Sequence, residues 1–370
     1  MKKFKILFLA IILSHIVYGD SLIEKAKKSG LEPIPNTRDK LLKLIDPKGL
    51  LTPERIELGK MLYFDPRLSK SSLISCNWCH NLGLGGVDGV PKAIGHQWSP
   101  NPRHLNSPTV YNAVFFKRQF WDGRSKSLED QAKGPVQAPV EMAANRKLVE
   151  ERINSIPEYV ELFKKAYGKD VKIDFDKITS TIALFERTLV TPSRYDSFLL
   201  GDENALTKKE KKGLETFIDK GCVVCHNGIA LGGDMQPFEL RSQYKYRDVG
   251  GFRGNGQKLI KVPTLRNITE TAPYFHNGMI WSLRDAIKEM GHVQVAYKIE
   301  DANKAKKGSI NIGKFKLDII PINLTEEDID NILAFFNALE GIKPKIEYPQ
   351  LPKSTQKTPK PILDSSDTSK

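Results

Sequence analysis

Cysteine is scarce in this chain. Its 370 residues carry four, and all four fall in two copies of one short motif, so no thiol is left for a disulfide framework. Long apolar runs are missing too. The stretch that opens with Ile6 to Ile12 is too short and too interrupted for a stable membrane span. Strand signals are sparse, which makes the expected class mainly α. No nucleic-acid-binding motif accompanies the formal net charge of +13. Such a charge suits an acidic partner surface, anionic lipid or a solvated lysine-rich surface, and alone it decides nothing.

What is present is concentrated. Cys76-Asn77-Trp78-Cys79-His80 and Cys222-Val223-Val224-Cys225-His226 both read C-x-x-C-H, the c-type haem attachment pattern. Two thiols three residues apart on a helical turn can each add to one vinyl group of a haem. The next residue then brings an imidazole under the iron. Zinc and dithiol redox sites also use C-x-x-C, but neither requires a histidine directly after the second cysteine. Two copies that consume every cysteine define a covalent di-haem chain. Cys76, Cys79, Cys222 and Cys225 are its attachment points, and His80 and His226 its proximal ligands.

Lys2, Lys3 and Lys5 ahead of the apolar stretch, with Val17-Tyr18-Gly19 behind it, read as a secretory leader over residues 1–19. The alternative is an uncleaved anchor. Cleavage lowers the formal charge by three, to +10. Export to the periplasm suits the chemistry, because bacteria attach c-type haem on the outer face of the inner membrane. The rest is long enough for two domains, and its halves repeat one order of parts. Pro53 to Phe64 and Thr207 to Phe217 are amphipathic helices, each followed by a haem motif and a Gly/Pro-rich stretch. Helices marked by Ile178, Ile182, Phe185 and Leu189, and by Ile329, Ile332, Phe336 and Leu339, close the halves. The expectation is two tandem cytochrome-c-like domains, residues 20–195 and 196–343. The Pro-, Lys- and Ser-rich tail, 344–370, is expected to be largely disordered, although Ile346-Glu347-Tyr348 could dock back.

Once the leader's His15 is set aside, His96, His104, His276 and His292 remain as further iron ligands, with Met142, Met235, Met279 and Met290 as thioether candidates. His96 stands out by setting. It ends a glycine-rich span, Gly85 to Gly95, that can fold across the far face of its own haem and can also let go.

From about residue 31 to about 345 the chain resembles the bacterial di-haem cytochrome c peroxidases. The first half carries the resemblance in Phe120-Trp121-Asp122-Gly123-Arg124, Gln131-Ala132-Lys133-Gly134-Pro135-Val136 and Pro139-Val140-Glu141-Met142. The second carries it in Val262-Pro263-Thr264-Leu265-Arg266-Asn267 and Ala272-Pro273-Tyr274-Phe275-His276-Asn277-Gly278. The resemblance implies that His80 serves a low-potential haem where peroxide reacts, with His96 as its displaceable distal ligand. Glu141 is then the acid/base residue, Gln131 the polar residue beside it, and Trp121 the tryptophan between the haems. His226 and Met290 hold a high-potential haem, and thioether ligation with histidine does raise potential. Asn106, Thr271 and Pro273 match an inter-domain calcium site. His276 reads as structural or propionate-contacting. Two covalent haem c groups, calcium, hydrogen peroxide, a small donor cytochrome or copper protein, and a homodimer follow from the resemblance. Two rivals are carried forward. One is a plain di-haem electron carrier. The other is the related enzyme type that matures a tryptophan-derived cofactor, which carries Tyr where this chain has Met290.

Overall fold

The computed structural model describes residues 20–238, 244–292, 295–299, 310–312, 315–320 and 323–363. Residues 1–19 and 364–370 lie outside that set. Thirteen α-helices run in order among the described residues: α1 (Leu22–Lys28), α2 (Arg38–Ile45), α3 (Pro53–Phe64), α4 (Cys76–Cys79), α5 (Leu128–Gln131), α6 (Lys133–Gln137), α7 (Arg146–Asn154), α8 (Pro157–Tyr167), α9 (Phe175–Glu186), α10 (Arg194–Leu199), α11 (Lys208–Asp219), α12 (Leu283–His292) and α13 (Glu326–Ala338). Strands β1 (Met235–Pro237) and β2 (Leu259–Lys261) pair antiparallel, and β3 (Val295–Ile299), β5 (Phe315–Ile320) and β4 (Ile310–Ile312) form a small antiparallel sheet in that order. The class is mainly α, in two tandem units. None of the described helices is long and apolar enough to cross a membrane.

Each unit is built on one crossing of its opening and closing helices. α3 starts where Thr52 accepts from the Arg55 amide with Pro53 at the first position. α11 and α13 start in capping boxes, Thr207 with Glu210 and Thr325 with Asp328, which satisfy amides the helix itself leaves orphaned. α3 crosses α9, and α11 crosses α13, each through a glycine. A Cβ on Gly59 would lie 2.3 Å from the Thr181 carbonyl oxygen, and one on Gly213 only 1.9 Å from that of Asn331. Around these crossings grow two apolar cores. The first holds Leu62, Phe163, Phe175 and Ile182; the second holds Phe198, Leu214, Phe217 and Phe335. Each such side chain fully buried contributes about 1.5–3 kcal/mol.

The chain ends cross over between the units. Ala26 and Leu31, from the stretch expected in the first domain, pack into the second core. The Gly228 amide donates to Gly30 O at 2.7 Å, and the Ile34 amide to Asp196 Oδ1 at 2.7 Å. Asp196 also holds the fully buried Arg266 guanidinium at 2.7 and 2.9 Å, so this junction is a paired charge set. α9 ends at Glu186, short of Leu189, and Tyr195, expected to end the first domain, already belongs to the second core. At the other end the tail lies along the first unit. Ile346 and Leu351 pack on the first core, and the Tyr348 ring meets Phe64 at 4.7 Å. The buried Arg152 donates to the carbonyls of Arg67, Ser69, Lys70, Pro359 and Lys360. Arg67 reaches Pro352 O at 2.8 Å. Composition predicts disorder here because the segment is poor in apolar side chains. Ile346 and Tyr348 dock through their side chains, and further along the tail is held by its backbone carbonyls.

Candidate functional site

Both C-x-x-C-H motifs close a single turn in the same way. The His80 amide donates to Cys76 O at 3.0 Å, and the His226 amide to Cys222 O at 3.0 Å, which sets each imidazole on the same turn as its two thiols. His80 Nδ1 lies 2.9 Å from Pro108 O, and His226 Nδ1 lies 3.1 Å from Leu231 O. A carbonyl at Nδ1 fixes the proton there and leaves Nε2 for a metal. The four cysteines are half-buried, and desolvation pushes the Cys79 and Cys222 thiols up to about 12. Poised thiolates of a dithiol redox site are shifted the other way. Among the described residues no cluster of three or more His, Cys, Asp or Glu is arranged to hold a metal ion, which argues against zinc. Paired thiols, imidazoles with Nε2 presented and an apolar cavity alongside fit haem c.

That cavity runs from Cys222, Cys225 and His226 past Leu265 and Phe336 to the junction of the units at Trp121, Asn106 and Pro108. Met290, on α12, lines it together with His226. The competing thioethers lie elsewhere. Met142 is buried in the first core, and Met235 stands against Gly123, whose Cβ would come within 2.3 Å of its sulfur. His104 bonds Asn277 O at 3.2 Å. The side chain of His292 lies outside the described residues.

In the first unit the structure brings His96 and Glu141 together. The buried His96 donates its amide to Glu141 O at 2.7 Å. Gly95 permits this approach, since a Cβ there would lie 2.0 Å from Val140 O. Gln97 and Trp98 follow with φ of 56° and 57°, two left-handed residues in succession that carry a backbone cost. Trp78, inside the first haem motif, faces Trp98 with ring centroids 5.7 Å apart. Its indole N–H donates to Ile94 O at 2.8 Å. Burial raises the Glu141 carboxyl above its ordinary range, and Arg124 offsets only part of that. Gln131 ends α5, ahead of the α6 turn that leads to Glu141, and makes no side-chain hydrogen bond to the described residues.

Trp121 sits where the units meet. It packs with Phe238, Phe252 and Ile260 of the second unit, meets the His276 ring at 6.4 Å, and donates its indole N–H to Asn106 O at 2.8 Å. His276 is fully buried in aromatic surroundings, a structural position. The junction also shows a repeat that the motif reading missed. Asn106, Pro108, Thr109, Asn112, Trp121, Gly123 and Ser127 recur at one fixed separation as Lys261, Pro263, Thr264, Asn267, His276, Gly278 and Ser282. The geometry recurs with it. The Asn106 amide donates to His276 O and the Lys261 amide to Trp121 O, both at 2.8 Å. Asn112 and Asn267 both donate to Thr191 Oγ1, at 2.7 and 2.9 Å. Phe120 and Phe275 share a left-handed φ, 66° and 70°. The identities P-T-x-x-N and S-L-x-D were legible in the sequence and are its usable signal.

Comparison with known proteins agrees with this architecture. Residues 53–204 match the family described as di-haem cytochrome c peroxidase, and residues 210–340 match cytochrome c. The chain is 45% identical over 323 residues to the cytochrome c551 peroxidase of Pseudomonas aeruginosa, covering 84% of this chain and 86% of that one. It is 38% identical to the cytochrome c peroxidase Ccp of Escherichia coli, with 83% and 63% covered. The methylamine utilization protein MauG of Methylorubrum extorquens is 34% identical, with 82% of each covered. Among solved structures, a MauG-like protein associated with microbial copper homeostasis superposes with a TM-score of 0.63 at 23% identity, over 79% of this chain and 90% of that one. Its likeness concerns the fold. This chain belongs to the di-haem cytochrome c peroxidase family. It carries two haem c groups, one in each cytochrome-c-like unit.

Proposed function

We propose that the protein reduces hydrogen peroxide to water in the periplasm, with electrons from a small donor cytochrome c. Peroxide takes two electrons, one from each of two reduced donors, and two protons to give two waters. The carrying observation is the half-buried Glu141, whose backbone carbonyl accepts from the His96 amide in the first unit, while among the described residues no carboxylate lines the cavity of the second. When bound, the haems supply the iron that reduces peroxide and a store for a second electron. The protein side of the work falls to a few residues. Cys76, Cys79 and His80 hold one haem, and Cys222, Cys225, His226 and Met290 the other. His96 would be held toward the first haem by its strained, glycine-hinged loop and would leave when that loop withdraws. Glu141, protonated more readily than a surface carboxylate, then moves a proton from the inner to the outer peroxide oxygen as a general acid/base. Gln131 lends polarity beside it, and Trp121 fills the gap between the units.

Calcium enters the same reading. Asn106 and Thr271 bring oxygen atoms to the cavity wall at the junction, with Pro273 beside them. Gly85 of the first unit approaches Thr271, with 3.4 Å between its Cβ position and the threonine methyl. Neutral oxygens of this kind suit calcium. Family resemblance supports a homodimer, and a small copper protein as a second type of donor. Met290 favours this function over the tryptophan-cofactor enzymes, and Glu141 favours it over a plain carrier.

The test is peroxide-dependent oxidation of a reduced small c-type cytochrome by the calcium-loaded holoenzyme, reduced beforehand by one electron. Turnover supports the proposal. A holoenzyme with both haems attached and no turnover contradicts it and favours a carrier.

A further inference from the structure

A buried ammonium without an opposite charge is costly, because burial strips its hydration and nothing replaces it. Lys261 is such a group. It is 2% exposed at the end of β2, with its amide fixed to Trp121 O. Its Nζ lies 4.6 Å from the centre of the Phe116 ring. It forms no ion pair with any described carboxylate, and burial pulls its ammonium down to about 8. Among the described residues lining the cavity it is the one Lys, Arg, Asp or Glu. Pro108, whose carbonyl lies 2.9 Å from His80 Nδ1, lines the same cavity. A cation in that place faces the cavity that haem c fits and lies toward the first haem motif.

We propose that Lys261 is a positioning residue whose ammonium binds a propionate carboxylate of the N-terminal haem at the domain junction and thereby raises that haem's reduction potential. The proposal rests on the haem assignment to Cys76, Cys79 and His80 above. The repeat sharpens it. Asn106, the matching residue of the first unit, is a neutral amide whose Nδ2 donates to Val90 O at 2.9 Å. At these matched positions one unit thus carries a built-in cation and the other a neutral amide. A purely packing lysine would need only its apolar stem and the Phe116 ring. A propionate anchor needs the charge.

The experiment is a redox titration of the holoenzyme, wild type against Lys261→Met and Lys261→Arg, with the two haems resolved by their visible bands and ferric paramagnetic resonance signals. Two haems per chain in each variant are established first by the pyridine haemochrome. The expected result is a shift of the N-terminal haem to a more negative midpoint in Lys261→Met, a smaller shift of the other haem, and recovery in Lys261→Arg. An unchanged N-terminal midpoint in Lys261→Met, or an Arg variant shifted as far as the Met variant, overturns the proposal. If Lys261→Met fails to assemble, Lys261→Gln carries the same reading. Resonance Raman spectra of the wild type give an independent one. A propionate bending band that shifts in deuterated water supports an N–H donor, and an unshifted band overturns it. A wild type with no haem on the first motif would instead refute the haem assignment, so the two failures are distinguishable.

Discussion

The two halves share a scaffold and differ in where an axial ligand can come from. In the second half α12 runs unbroken from Leu283 to His292 and carries Met290 on the cavity wall. At the matching place in the first half the helix splits into α5 and α6, and Pro135 stands where Met290 stands. Proline offers no ligand atom and no amide. Under the proposed assignment the distal ligand of the first half comes from a loop, as His96, and that loop holds two left-handed residues beside Gly95. A ligand on a helix is held by the helix's own hydrogen bonds. A ligand on a strained loop is held by few contacts and can leave. Gln131 and Ala286 show the same divergence: the first half keeps an amide where the second has a methyl group lining the cavity.

The contrast can be broken at several points. The largest effect is expected from Glu141→Gln, which should lower peroxide turnover by about 10²–10⁴-fold while both haems stay attached, as steady-state rates and haem content will show. Because burial raises the Glu141 carboxyl, the wild-type rate should fall on the acid side at a pH above the ordinary carboxylate range. The variant should lose that limb. Next comes Met290→His, which should make the second haem resemble a bis-imidazole site. Axial ligands span about 0.8 V of potential, so potentiometry should show the two midpoints drawn together, and unchanged midpoints would dismiss Met290 as a ligand.

Smaller effects test the scaffold. Arg152→Ala removes the donor to carbonyls of both the first unit and the tail, and should cost about 1–3 kcal/mol in chemical denaturation. Protease should then cut the tail between residues 346 and 362 faster than in the wild type. Gly59→Ala and Gly213→Ala should each cost about 1–3 kcal/mol by overpacking a helix crossing. Gly256→Ala, with nothing near its Cβ position, should cost far less.

Much of this was legible in the sequence because it is local. Caps at Thr207 and Thr325, apolar spacing along α9 and α13, and the C-x-x-C-H turns each depend on residues a few positions apart. The exchange of chain ends was not legible. Docking of Ile346 to Tyr348 was open to expectation, but beyond it Arg152 and Arg67 hold the tail through carbonyl oxygens, which every residue has, so no side-chain pattern announces the contact. Leu31 looks like any other apolar residue until it packs into the far core. Lys261 sits in a run of branched and apolar residues and reads as a surface lysine of a basic protein, and only the cavity around it reveals a buried cation. The small sheet did leave a trace, the alternation of Phe315, Leu317 and Ile319, a period that strands impose.

The account turns on a displaceable ligand in one half and a fixed one in the other. Its most direct test compares peroxide turnover by fully oxidised enzyme with turnover after one-electron reduction, with calcium present, in wild type and in His96→Gly. The account predicts that the wild type works only after reduction and that His96→Gly works in both states. Equal turnover by oxidised and half-reduced wild type, or a His96→Gly variant that still requires reduction, would contradict it.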